Sequence, residues 1–143
     1  MKALVVYDST YGNTKKIAKI LASEIGDGSK ELFVDDFDLK ILNHFDLLIV
    51  GSPIQGWRPT AKIHDFLEKL KKDDLKDKKV AAVDTRMNVW YSGDAVKKIV
   101  KYFLKIKARV VSSEFFIVSD KEGPIKKEEL EKVKSWAKDL KEI

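Results

Sequence analysis

The sequence predicts an α/β fold: a doubly wound, five-stranded parallel sheet in the order 2-1-3-4-5, with helices on both faces. Short and nearly continuous apolar runs, typical of strands buried on both faces, alternate along the chain with amphipathic helical stripes. No internal repeat, Gly/Ser-rich linker or low-complexity tract interrupts this alternation. We therefore expect a single domain over residues 1–143.

Each element follows from a change in the spacing of apolar residues. Residues 2–7 (KALVVY) form the first predicted strand, and the stripe at 14–25 predicts a helix that Gly26 and Gly28 end. Pro59 and Thr60 are typical of the start of the second helix. The later predicted strands are 31–34, 47–50, 80–83 and 110–118. The later helical stripes are 63–70, 96–103 and 130–140.

The composition excludes several classes of protein. With 44% apolar and 36% charged residues, the chain has the composition of a globular domain, and without cysteine it has neither a disulfide nor a thiolate metal site. Only three of its 28 basic residues are arginine, which argues against nucleic-acid binding. No apolar run is long enough to span a bilayer. We expect a cytoplasmic protein without membrane insertion, and a monomer.

Three predicted loops meet at the carboxyl edge of the sheet, where the winding direction reverses and ligands bind in such folds. The first loop brings hydroxyl groups, a glycine and an amide to the start of a helix, whose free N–H groups favour a phosphate. Its candidate binding residues are Ser9, Thr10, Tyr11, Gly12, Asn13 and Thr14. The alternative interpretation is that Asn13 only caps the helix.

The other two loops, 51–59 and 84–92, carry aromatic side chains that suit a flat ring between them. The candidates in the second loop are Ser52, Pro53, Ile54, Gln55, Gly56 and Trp57. The candidates in the third loop are Asp84, Thr85, Arg86, Trp90 and Tyr91, and either of the two adjacent aromatic residues could stack on such a ring. The alternative is that these aromatic residues only cover the edge of the sheet and the helix seams.

These motifs resemble those of short-chain flavodoxins and flavodoxin-like FMN proteins, and the resemblance covers essentially the whole chain. It is most specific in Ser9-Thr10-Tyr11-Gly12-Asn13-Thr14, directly after the first strand. The resemblance implies that this loop holds the phosphate of FMN. It also implies that the Gly56 peptide accepts a hydrogen bond from N5 of the reduced flavin.

The chain departs from the family pattern in several places, including the third loop, where Thr85, Arg86 and Asn88 replace the familiar glycine and acidic residues. Tyr11 replaces a small hydroxyl residue, and Gln55 stands where many flavodoxins carry a stacking aromatic, which leaves Trp57 as the substitute. The chain is also basic, with a net charge of +5, whereas the family is typically acidic around the flavin. Because Arg58 and Arg86 lie in two of the three loops, we expect positive charge near the flavin to favour its reduced, anionic form.

The resemblance implies an electron carrier in which FMN performs the redox chemistry and no catalytic residue or metal ion is needed. The expected partners are redox proteins, with acidic docking surfaces to match the basic chain. The alternative is an FMN-dependent oxidoreductase, such as a quinone reductase or a protoporphyrinogen-oxidase-like flavoprotein. Gln55 favours that alternative because an uncovered flavin face would admit a substrate.

Overall fold

A central sheet organises the fold in the computed structural model, which describes residues 1–120 and 122–143. Its strands are β1 (Ala3–Tyr7), β2 (Lys30–Phe33), β3 (Leu47–Gln55), β4 (Arg58–Pro59), β5 (Lys79–Met87) and β6 (Arg109–Val118). The five longer strands are parallel and lie in the order β2-β1-β3-β5-β6, and the two-residue β4 pairs antiparallel with β3. The predicted fold class and strand order are therefore confirmed, with β4 as an addition.

Helices cover both faces of this sheet. They are α1 (Asn13–Ile25), α2 (Ala61–Lys69), α3 (Ala95–Lys105) and α4 (Lys127–Lys141). Short 3-10 helices cover Val34–Asp36, Leu39–His44 and Lys72–Leu75. The apolar stripes of α1 and α4 pack on one face, and those of α2 and α3 pack on the other. Both faces of β1 and β3 are thus buried, as their unbroken apolar runs predicted.

Helix boundaries follow the signals in the sequence. Gly26, with φ of 68°, ends α1, and Thr60 caps α2 by accepting a hydrogen bond from the amide of Ile63. The second strand was predicted at 31–34 and is found one residue earlier. Val34 instead begins a 3-10 turn that buries its side chain against the α2 face.

The second and third predicted loops are shorter than expected. Their first residues continue the sheet, because the ladder between β3 and β5 extends through the pairs Ser52–Asp84 and Pro53–Thr85. The pair Met87–Val118 extends β5 further against β6. Three strands therefore project toward the carboxyl edge, and within these two loops irregular structure is confined to 56–57 and 88–94.

Among the described residues, none of the helices combines the length and the apolar character needed to cross a membrane.

Candidate flavin site at the carboxyl edge of the sheet

The loop between β1 and α1 is folded around the hydroxyl group of Ser9. The Ser9 Oγ accepts hydrogen bonds from the amides of Gly12 at 3.0 Å and Lys15 at 3.3 Å. Gly12 has φ of 91° and occupies the N-cap position, so the N-cap residue itself has no side chain that could cap the helix. The interpretation of Asn13 as the helix cap is therefore wrong: Asn13 is the first residue of the helix.

This conformation of the β1–α1 loop leaves several main-chain N–H groups without hydrogen-bond acceptors. Within the described part of the chain, the amides of Thr10, Tyr11, Asn13 and Thr14 find no hydrogen-bond acceptor. The first turn of α1 contains no acidic residue, so the positive end of the helix dipole is not offset there. The loop therefore has the donors and the electrostatic field of an anion site.

These donors border a cavity of about 410 Å³, a size typical of a small-molecule site. The polar wall of this first cavity includes hydroxyl groups from the loop and from Thr85. Thr14 and Thr85 are buried, and their hydroxyl oxygens lie 3.1 Å apart, which ties the start of α1 to the end of β5. Its lining residues are Ser9, Thr10, Tyr11, Asn13, Thr14, Pro53, Ile54, Gln55, Gly56, Thr85, Arg86, Met87, Ser92 and Val118.

A two-residue turn forms a second wall of the first cavity. Gly56 and Trp57 have φ of 55° and 65°, the sign pattern of the tight turns that match the twist of a hairpin, and they join Gln55 to Arg58. Trp57 is an unusual residue for positive φ. Its indole Nε1 donates a hydrogen bond of 2.6 Å to the carbonyl oxygen of Tyr91, which holds the turn against the β5–α3 loop.

Gly93 makes this contact possible. A Cβ atom at Gly93 would lie 2.4 Å from Cα of Trp57, and Gly93 has φ of 87°. The β5–α3 loop can therefore approach the hairpin turn only with glycine at this position.

The charge beside the first cavity comes from an ion-pair cluster. Asp84 is fully buried and accepts hydrogen bonds from Arg86 and from the amides of Ala95 and Val96 at the start of α3. Arg86 also contacts Asp94 at 3.2 Å. Burial raises the pKa of the Asp84 carboxyl, against the opposing effect of these hydrogen bonds.

This cluster corrects the expected role of the arginines. With two carboxylates around one guanidinium, the cluster carries a net negative charge when both are ionised, so Arg86 supplies no uncompensated positive charge. Arg58 does not line the first cavity in the described structure. The structure therefore does not place an unpaired positive charge of Arg58 or Arg86 at the first cavity, which the expected effect on an anionic flavin requires.

Eleven of the predicted binding residues line the first cavity, in all three loops. The predicted residues outside its lining are Gly12, Ser52, Trp57, Asp84, Trp90 and Tyr91. The side chains of Ser52 and Asp84 are committed to hydrogen bonds within the protein. Trp90 is 95% exposed and contacts Tyr91 edge-on, and neither Trp90 nor Trp57 is among the residues that line the first cavity.

Three lining residues were not singled out from the sequence: Met87, Ser92 and Val118. Met87 and Val118 are paired at the ends of neighbouring strands. A signal existed for Val118, because it ends the apolar run that was predicted as the fifth strand, and the carboxyl ends of all parallel strands lie at the edge where the crevice was expected.

The sequence agrees with this geometry. A family model described as a flavodoxin domain matches residues 4–118, which is most of the chain. The chain belongs to the flavodoxin domain family. The predicted resemblance to flavodoxins is thus confirmed, and this family of flavin-binding electron carriers works with redox partner proteins.

The chain resembles individual proteins in sequence and in structure. An uncharacterized protein of Methanocaldococcus jannaschii is 35% identical over 78 residues, which cover 53% of this chain and 50% of that protein, so the match spans only half of the relative. A flavodoxin from the domain Archaea is 23% identical with a TM-score of 0.79, covering 99% of this chain and 97% of its own. The rubredoxin oxygen:oxidoreductase of Desulfovibrio gigas is 20% identical with a TM-score of 0.80, and covers 99% of this chain but 35% of its own.

Proposed function

We propose that the protein binds FMN in the first cavity and transfers electrons between redox partner proteins. One observation carries the proposal: four main-chain amides of the β1–α1 loop lack acceptors at the positive end of α1 and border a cavity at the crevice of the sheet. Membership of the flavodoxin domain family supports the same function. Bound FMN would supply one-electron and two-electron transfer chemistry.

Two regions of the first cavity would hold the two ends of FMN. The phosphate would be held by the free amides of the β1–α1 loop and by the hydroxyl of Thr10. The flavin ring would lie toward Pro53, Ile54 and Gly56, where the hairpin turn carries main-chain groups to its edge. The buried pair of Thr14 and Thr85 would fix the distance between these two regions.

The test is a titration of the apoprotein with FMN and with riboflavin, followed by flavin fluorescence. We expect FMN to bind at least 100-fold more tightly, since each desolvated donor left without the phosphate costs about 1–3 kcal/mol. Ser9→Ala should weaken FMN binding at least fivefold, because Ser9 shapes the loop. Ser113→Ala, at an exposed position of β6, should bind as wild type does. Equal affinity for the two flavins would overturn the phosphate assignment.

The proposed function extends to the partner proteins and the oligomeric state of the molecule. A net charge of +5 supports redox partners with acidic docking surfaces, and association should then weaken as salt increases. We propose that the protein is a cytoplasmic monomer of one domain. Light scattering after size-exclusion chromatography measures the oligomeric state, and a mass near 16.3 kDa is expected.

A second candidate function is that of an FMN-dependent oxidoreductase. The specific observation in its favour is that Trp57, Trp90 and Tyr91 lie outside the lining of the first cavity, which would leave a face of bound flavin accessible to a substrate. Under this alternative, the reduced protein would pass electrons to a small quinone in stopped-flow mixing faster than free reduced FMN does. No acceleration over free FMN would leave the carrier function as the better proposal.

A further inference from the structure

A second cavity, of about 440 Å³, lies on the other side of the β3–β4 hairpin, between α2 and α3. Its apolar walls are Pro59, Ala61, Leu67 and the ring of Tyr102. Pro59 and Leu67 belong to the rigid parts of the fold, because both are buried in the packed structure. The apolar part of the second cavity is therefore anchored in the packed structure, and polar side chains form the rest of its rim.

The charged side chains that line the second cavity are basic. Arg58 and Lys98 line it, and neither has an ion-pair partner in the part of the chain that the structure describes. The nearby carboxylate of Glu68 is already engaged, since it lies 3.3 Å from the Nε2 of His64 and accepts a hydrogen bond of 3.3 Å from Tyr102. The groove thus presents two unpaired cations above an apolar floor.

We propose that the second cavity binds a small, flat organic carboxylate. Its apolar body would pack against Pro59, Leu67 and Tyr102, and its carboxylate would lie between Arg58 and Lys98. A guanidinium pairs with a carboxylate in a bidentate geometry, which gives Arg58 the leading part in recognition. An inorganic anion fits less well, because it would leave the apolar floor uncovered.

The second cavity shares one lining residue with the first cavity. Gln55 lines both cavities, and its Nε2 lies 3.4 Å from the hydroxyl oxygen of Thr10 in the candidate phosphate loop. A carboxylate in the second cavity would therefore contact a residue that also borders the first. The binding site itself rests on its own residues and does not depend on the proposed binding of FMN.

The test uses 2-naphthoate as the probe and 2-naphthalenemethanol, which lacks the carboxylate, as its neutral partner. Both are titrated into the full chain, with and without added FMN, and binding is followed by amide chemical shifts in ¹⁵N-labelled protein. We expect 2-naphthoate to bind at least tenfold more tightly than the alcohol. The amide shifts should concentrate in 55–68 and 98–102. This result is expected whether or not FMN binds, so it is separable from a failure of the proposed function.

Variants identify the residues responsible. Arg58→Gln and Lys98→Gln should each weaken 2-naphthoate binding at least fivefold and leave the affinity for the alcohol unchanged. Lys97→Gln is the matched control, since Lys97 neighbours Lys98 on α3 but does not line the second cavity. The proposal is overturned if the two probes bind equally, if the shifts map elsewhere, if both cation variants bind as wild type does, or if 2-naphthoate fails to saturate below 10 mM.

Discussion

The indole of Trp57 donates a hydrogen bond of 2.6 Å to the main-chain carbonyl of Tyr91, across 34 positions of sequence. This contact joins the hairpin after β3 to the loop after β5, which are two of the three segments around the first cavity. Trp57 remains 64% exposed, so its role is to connect the two loops and not to fill the core. The geometry of the first cavity therefore depends on a bond made outside it.

Replacing Trp57 with phenylalanine should loosen this connection. Trp57→Phe removes the donor and keeps an aromatic ring, so we expect the free energy of unfolding to fall by about 1 kcal/mol, measured by urea denaturation. Trp90→Phe is the matched control, because Trp90 is exposed and makes no such bond; its effect should stay within about 0.5 kcal/mol. Equal stability of wild type and Trp57→Phe would show that the bond does not hold the loops.

Adding a methyl group at Gly93 should be more damaging than adding one at Gly12. Both glycines have φ near 90°, but a Cβ at Gly93 meets the Trp57 backbone, whereas one at Gly12 meets nothing within 4 Å. We expect Gly12→Ala to cost about 1 kcal/mol, from the backbone conformation alone. Gly93→Ala should cost at least about 2 kcal/mol more. Thermal unfolding of the two variants measures the difference, and equal losses would contradict the close approach.

Asp84 should be required for stability although it does not line the first cavity. Asp84→Asn replaces an acceptor of four hydrogen bonds with an amide that presents its own N–H groups to Arg86 or to α3. We expect a loss of about 3 kcal/mol in the free energy of unfolding, because buried donors lose their partner. Asp94→Asn, at a half-exposed carboxylate, should cost less than about 1 kcal/mol. Losses of the same size would show that burial of Asp84 is not decisive.

Gly56 should control the redox properties of bound flavin through the shape of its turn. Valine is strained at φ of 55°, so Gly56→Val should distort the turn, whereas Gly56→Asn should keep it because asparagine tolerates positive φ. We expect FMN affinity to fall at least tenfold in the valine variant only. Spectroelectrochemistry should also show a smaller separation between its two one-electron potentials. If valine and asparagine give the same potentials, the turn conformation does not control them.

Local periodicity was sufficient to predict the layers of this fold. The stripe at 14–25 has one helical period and becomes the buried face of α1, and the apolar run 47–50 becomes the centre of β3. The sequence analysis predicted β3 and β5 to be shorter than they are. Polar residues such as Ser52 and Asp84 are paired within the sheet and buried, because hydrogen bonds satisfy their side chains. The pattern of apolar residues predicts which apolar side chains are buried. It does not predict which polar side chains are buried with their hydrogen bonds made within the protein.

The candidate site was predicted as a set of loops more reliably than as a set of side-chain roles. The β3–β4 hairpin was missed because Trp57 is not a residue typical of a turn with positive φ, and its bond to Tyr91 joins residues that are distant in sequence. The pairing of Asp84 with Arg86 had a signal: residues two apart on a strand face the same side. The ion pair could have been proposed from that spacing.

The four unpaired amides of the β1–α1 loop have a consequence for how this site tolerates change. Because every residue except proline carries a main-chain N–H, substitutions at Thr10, Tyr11 or Asn13 leave the number of these donors intact. In a library randomised over 10–13, binding should therefore survive most exchanges of side chain and fail for proline and for β-branched residues at Gly12, because its φ of 91° strains them. We therefore expect the side chains of this loop to be exchangeable while its main-chain conformation is retained.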